Sequence, residues 1–135
     1  MTLFGNHGSK RPMADIQIDG CSLTLEQAIS IARGENTASL SKESRDKMNE
    51  SCAAVDGIVR SGETVYGINT GFGALSSVRI DDDEIASLQE NLVRSHACGV
   101  GERMEPVQVF LMMVFRANSI AKGFSGSRPE VVDLI

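Results

Sequence analysis

The chain has 135 residues, 41% of them hydrophobic, which suits one small core: a single domain or one piece of a larger one. Its formal charge of -5 and pI near 5.0, with acids and bases interspersed, exclude the basic footprint of a nucleic-acid binder. The longest apolar run, Val109 to Phe115, is far short of the roughly 18 residues of a membrane span, and no signal-peptide order stands at the start, so a soluble cytoplasmic protein is expected.

Residues 1–13 mix Gly, Ser, Lys, Arg and Pro without periodicity and predict a flexible tail, leaving 14–135 as the folded segment. Ile16 and Ile18 alternate with polar neighbours up to Asp19-Gly20, the pattern of a short strand and turn. Leu25, Ala28, Ile29 and Ala32 share one face of a helix over 24–33, with Gly34 as its stop. Ser41 caps a longer helix whose apolar positions Met48, Cys52, Val55 and Val59 recur every three to four residues until Ser61-Gly62. Thr64 to Ile68 is β-prone and predicts a second short strand leading into a glycine-rich loop.

Beyond that loop, Asp81-Asp82-Asp83-Glu84 supplies the negative charge a helix N-terminus favours, and Ile85, Leu88, Leu92 and His96 follow on one buried-facing stripe until Gly99. Pro106 starts another helix, whose near-continuous apolar content up to Gly123 predicts burial. Ser127 and Glu130 have capping-box spacing, with Pro129 in the first turn, so a last helix is expected there, cut short at Ile135. Helices outnumber strands, and the fold class is mainly α with one or two short β-strands.

Cys21, Cys52 and Cys98 have neither CxxC nor zinc-ligand spacing, and His7 and His96 are the only histidines, so neither a disulfide framework nor a metal site is expected. Gly71-Phe72-Gly73 opens like a dinucleotide fingerprint, but position 76 is serine, no helix follows directly and no phosphate-binding lysine stands behind it. The sole tyrosine, Tyr66, reads either as a half-buried strand residue or as a phenolate base in a cleft, which requires lowering the ordinary phenol pKa of about 10. His96 reads either as a satisfied core histidine or as a hydrogen-bonding wall of a substrate site.

Three blocks bear on that choice: "VYGINTGFG" at 65–73, "LQENLVRSHACGVGE" at 88–102 and "LMMVFRANSIAKGFSGSRPEVVDLI" at 111–135. In order and spacing they resemble the N-terminal region of the aromatic amino-acid ammonia-lyases, the histidine ammonia-lyases above all. The resemblance implies elimination of ammonia from an aromatic amino acid, urocanate being formed from histidine. It implies an electrophile, the methylidene-imidazolone group made by cyclisation and dehydration of an Ala-Ser-Gly, with no metal. It also implies a homotetramer whose active sites draw on three subunits.

Carried onto this chain, the resemblance makes Tyr66 the base for the β-proton and Gly67, Gly71, Phe72 and Gly73 an active-site loop that closes on substrate. His96 falls on the position that tunes substrate choice, and Ser95-His96 is similar to the histidine-specific pattern; tyrosine or phenylalanine lyases and aminomutases are the alternatives within the family. No Ala-Ser-Gly occurs in the 135 residues. Phe124-Ser125-Gly126 matches a family segment upstream of the electrophile loop, so the segment is expected to be truncated before that loop and inactive by itself. A non-catalytic helical assembly module derived from such a lyase is the remaining alternative.

Overall fold

The computed structural model describes residues 13–81 and 83–135; the expected tail, apart from an exposed Met13, and Asp82 of the acidic run lie outside them. Strand β1 (Asp15–Ile18) is followed by helix α1 (Leu25–Ala32) and strand β2 (Thr37–Leu40). The strands pair in parallel, Asp15 opposite Thr37 through Ile18 opposite Leu40. A parallel pair needs a crossover, and α1 supplies it. The second strand is therefore not the one expected at 64–68. β2 carries a single buried side chain, Leu40, and its pairing is non-local, so it leaves little periodic signal.

Helix α1 is started by a reciprocal cap: the Gln27 N–H donates to Thr24 Oγ1 at 3.3 Å and the Thr24 N–H donates to Gln27 Oε1 at 2.9 Å. Helix α2 (Lys42–Ser61) begins at Ser41, whose Oγ accepts from the Ser44 N–H at 3.1 Å, and ends at Gly62 with φ 72°. Both ends of α2 agree with the sequence pattern. Helices α3 (Ile85–His96), α4 (Pro106–Ile120) and α5 (Glu130–Leu134) complete the mainly α architecture. At α5 the expected Ser127–Glu130 cap does not form. Pro129 is already in the helical region (φ -56°, ψ -32°) and takes the N-cap position, where it offers no side-chain acceptor.

The core gathers Ile18, Leu40, Met48, Ala117, Ile120, Ala121 and Val132, from both strands and from α2, the end of α4 and α5. Helix α1 packs on α4, and α5 lies against β2. The Gly20 N–H donates to Asn118 Oδ1 at 3.0 Å, and Arg45 of α2 pairs with Asp133 of α5 at 2.6 Å. After α4 the chain passes so close to α2 that a Cβ on Gly123 (φ 78°) would lie 2.8 Å from Lys47 Cβ and 3.1 Å from its carbonyl carbon. Only glycine fits that approach.

The expectation of a buried α4 is corrected. Only Ala117 and Ile120 are buried within the helix, while Phe110, Met112 and Phe115 are about half exposed at 51%, 59% and 46%. Its apolar content covers more than one face, and the described residues supply a partner for only part of it.

Candidate active site

Between α2 and α3 the backbone closes on itself. Thr70 pairs with Arg79 in an isolated antiparallel bridge, the Gly71 N–H donates to the Val78 carbonyl at 3.1 Å and the Ile80 N–H donates to the Asn69 carbonyl at 2.9 Å. At the mouth of this loop Arg79 Nη1 donates to the Gly62 carbonyl at 2.9 Å, which satisfies an acceptor just past the α2 C-terminus. Two excursions leave the closed base. One is the turn carrying Tyr66; the other is Phe72 with the single 3₁₀ turn Gly73–Leu75.

The Tyr66 segment is not a strand. Val65 accepts two turn bonds through its carbonyl, from the Ile68 N–H at 3.1 Å and the Asn69 N–H at 3.3 Å, and Gly67 sits at φ 79°. A left-handed residue with no sheet partner overrides the β propensity of Val65 and Ile68. Tyr66 itself is 64% exposed. This corrects the half-buried strand reading and leaves the phenol accessible.

Five of the predicted site residues thus share one loop, with unequal freedom. Gly67 and Gly73 (φ 59°) take left-handed conformations in open space, whereas Gly71 is buried and held by its amide bond. Phe72 is 37% exposed beside it. Sequence reasoning missed what holds the loop shut. Asn69 is fully buried, and its side chain bonds the backbone on the far side of Tyr66; Thr70 is 2% exposed and donates its hydroxyl to the Gly71 carbonyl at 3.1 Å. An Asn-Thr pair directly before a glycine was the available signal, since Asn bonds nearby backbone in turns.

His96 stands apart, on the last turn of α3, and is exposed, as Tyr66 is, with no residue of α3 fully buried. The expected buried stripe is corrected: Ile85, Leu88 and Leu92 are half-buried, but His96 is not. Its Nδ1 lies 2.9 Å from the Leu92 carbonyl and 3.0 Å from Ser95 Oγ, and Ser95 Oγ is 2.9 Å from that same carbonyl. A carbonyl only accepts, so Nδ1 bonds Leu92 in the tautomer that carries the proton there and accepts from Ser95 Oγ in the other. In the neutral ring with Nδ1 protonated, Nε2 is an acceptor.

A ring closed across Phe124-Ser125-Gly126 would use the backbone nitrogen of Gly126. That N–H donates to Ser51 Oγ at 3.0 Å, and Phe124 is 89% exposed, so this tripeptide is not arranged as an electrophile precursor. The chain's own residues do not fit the methylidene-imidazolone group. An apolar cavity of 330 Å³ does exist, lined by Ile18, Ala32, Leu40, Phe110, Val114 and Ala117 among others. None of the predicted site residues lines it, and it belongs to the core instead. Among the described residues no helix is long and apolar enough to cross a membrane.

The aromatic amino acid lyase profile matches residues 23–135. The chain is 43% identical over 118 residues to the histidine ammonia-lyase of Bacillus subtilis, covering 87% of this chain and 23% of that protein. It is 47% identical over 119 residues to that of Sorangium cellulosum, covering 86% and 23%. Among solved structures, histidine ammonia-lyase from Trypanosoma cruzi superposes with a TM-score of 0.79 at 37% identity, over 88% of this chain and 23% of that one. Tyrosine aminomutase from Streptomyces globisporus gives 0.83 at 32% identity, over 89% and 23%. The chain therefore spans about a quarter of the length of its relatives, and it belongs to the aromatic amino acid lyase family.

Proposed function

We propose that this chain is the N-terminal part of a histidine ammonia-lyase, which eliminates ammonia from L-histidine to give urocanate. The observation that carries the proposal is the run of histidine ammonia-lyases 41% to 47% identical to it over most of its length. Tyr66 is the base that takes the β-proton. Its turn is set on a hydrogen-bonded loop and its phenol is exposed toward whatever binds there. Gly67, Gly71, Phe72 and Gly73 form the closing loop: Gly71 is its anchor, Gly67 and Gly73 its points of rotation, and Phe72 its apolar cover.

His96 selects the substrate. With Nδ1–H given to Leu92, Nε2 accepts from the N–H of a substrate imidazole, a bond that a benzyl side chain leaves unmade. When present, the methylidene-imidazolone group supplies the electrophile that makes the amino group a leaving group; it comes from an Ala-Ser-Gly outside these 135 residues. The 135 residues alone are inactive, and the active form is a cytoplasmic homotetramer. The half-exposed Phe110, Met112 and Phe115 of α4 support that assembly, because an apolar face of this kind asks for cover.

A second reading, a tyrosine aminomutase or related lyase, draws on the TM-score of 0.83 to the Streptomyces enzyme. Identity favours histidine, at 37% to the Trypanosoma lyase against 32%. The test is a chimaera in which residues 13–135 replace the matching segment of the Bacillus subtilis histidine ammonia-lyase. Urocanate formed from L-histidine, with no product from L-tyrosine, supports the proposal; β-tyrosine or coumarate formed in its place establishes the alternative.

A further inference from the structure

The least exposed polar side chain in the Tyr66 loop belongs to neither the base nor the substrate wall. Asn69 has no solvent exposure, and its carboxamide spans the turn: Oδ1 accepts from the Val65 N–H at 2.9 Å and Nδ2 donates to the Glu63 carbonyl at 2.8 Å. Its backbone completes the enclosure. The N–H donates to the Val65 carbonyl at 3.3 Å, and the carbonyl accepts from the Ile80 N–H at 2.9 Å. One buried residue thus ties the chain before Tyr66 to the chain after it and to the far strand of the loop. Tyr66, by contrast, is 64% exposed, so its direction is set through its backbone more than by packing of its ring.

We infer that Asn69 is a positioning residue for the Tyr66 base: its two-sided carboxamide clasp holds residues 63–69 in the turn that presents the phenol for proton abstraction. The inference rests on the assignment of Tyr66 as base. Physically, a backbone turn with a left-handed glycine at position 67 is adjacent to many alternative conformations, and the clasp, which grips residues 63, 65 and 69 on either side of that glycine, narrows them to those that keep the phenol presented. Preorganisation of this kind acts on the rate of the chemical step more than on substrate affinity. Both halves of the amide are required, because burial makes an unmatched donor or acceptor costly.

The test pairs a catalytic readout with a local one. In the Bacillus subtilis chimaera, Asn69→Ala is expected to lower kcat by about tenfold or more while KM changes less than about threefold. Asn69→Asp keeps the acceptor for the Val65 N–H but loses the donor to the Glu63 carbonyl until it is protonated. Its kcat relative to the parent enzyme is expected to rise at least about threefold between roughly pH 9 and pH 6, as a buried carboxyl takes up a proton and regains the bond. In the 135-residue chain, which has one tyrosine and no tryptophan, intrinsic fluorescence reports Tyr66 alone. Lower anisotropy and stronger acrylamide quenching in both variants are expected. Unchanged fluorescence, or a kcat ratio flat with pH and within about twofold of the parent, overturns the positioning role. Loosened fluorescence with kcat held in both variants overturns the positioning role alone, because Tyr66→Phe tests the base by itself: loss of turnover there keeps Tyr66 as base.

Discussion

At the level of single residues, the loop divides the work between one exposed phenol and several buried or bonded neighbours. His96 illustrates how a local bond sets chemistry. In the tautomer where Nδ1 donates to the Leu92 carbonyl, Nε2 is left as the acceptor that the proposed role requires. In the chimaera, His96→Leu is expected to lower kcat/KM for histidine relative to phenylalanine by at least about tenfold, the scale of one unmade polar contact in a binding site; an unchanged ratio in a substrate panel would remove His96 from specificity. Asp19 is a purely structural counterpart. Its carboxylate accepts from the Ser22 N–H at 2.7 Å and the Cys21 N–H at 2.8 Å, and bonds to Ser22 above all hold its pKa at about 2, against an ordinary 3.8. Because the folded pKa is depressed, the stabilisation is present in full above about pH 4 and is lost as pH falls toward 2. Urea midpoints of the chain should therefore fall over that window, and Asp19→Asn should flatten this part of the profile; parallel profiles for the two proteins would contradict the assignment.

At the level of elements, glycine shows why position matters more than residue type. Gly57 lies inside α2 with nothing within 4 Å of an added Cβ, so Gly57→Ala should stabilise by about 0.5–1 kcal/mol, the ordinary helix-propensity gain. Gly123, pressed on Lys47 with a left-handed backbone, has no room, and Gly123→Ala should cost about 1–3 kcal/mol. Denaturant midpoints of the two variants should move in opposite directions, and a shared direction would mean that the contact between 123 and α2 is wrong. The helices themselves were legible in the sequence wherever a cap and a 3.6-residue repeat coincide, as at Ser41 and Met48 in α2. They were less legible where one signal stood alone. The Ser127–Glu130 spacing looked like a cap and is not one, because Pro129 is already helical; the cap at Thr24–Gln27 carried the same signature and forms. β2 and the turn at Tyr66 were hidden for a different reason. Their conformations depend on partners 22 residues away and on a buried Asn69 side chain, neither of which a local pattern contains.

At the level of the whole molecule, the same division appears between what the 135 residues complete and what they leave open. The small core closes around Met48 and Ile120, while α3 buries none of its residues fully and α4 leaves Phe110, Met112 and Phe115 half in solvent. The matched relatives are about four times as long, and under the proposed function Tyr66 and His96 would supply a base and a substrate wall to an electrophile from outside these 135 residues. The open faces of α3 and α4 explain why periodicity misjudged His96 and α4, placing both in a core that the described residues do not form. The central claim is that Tyr66 takes the β-proton. The most direct measurement is the kcat of the Tyr66→Phe variant of the chimaera with L-histidine, followed by urocanate absorbance. Loss of at least about a hundredfold, with KM little changed, is the result expected for removal of a general base; turnover within about twofold of the parent would contradict it.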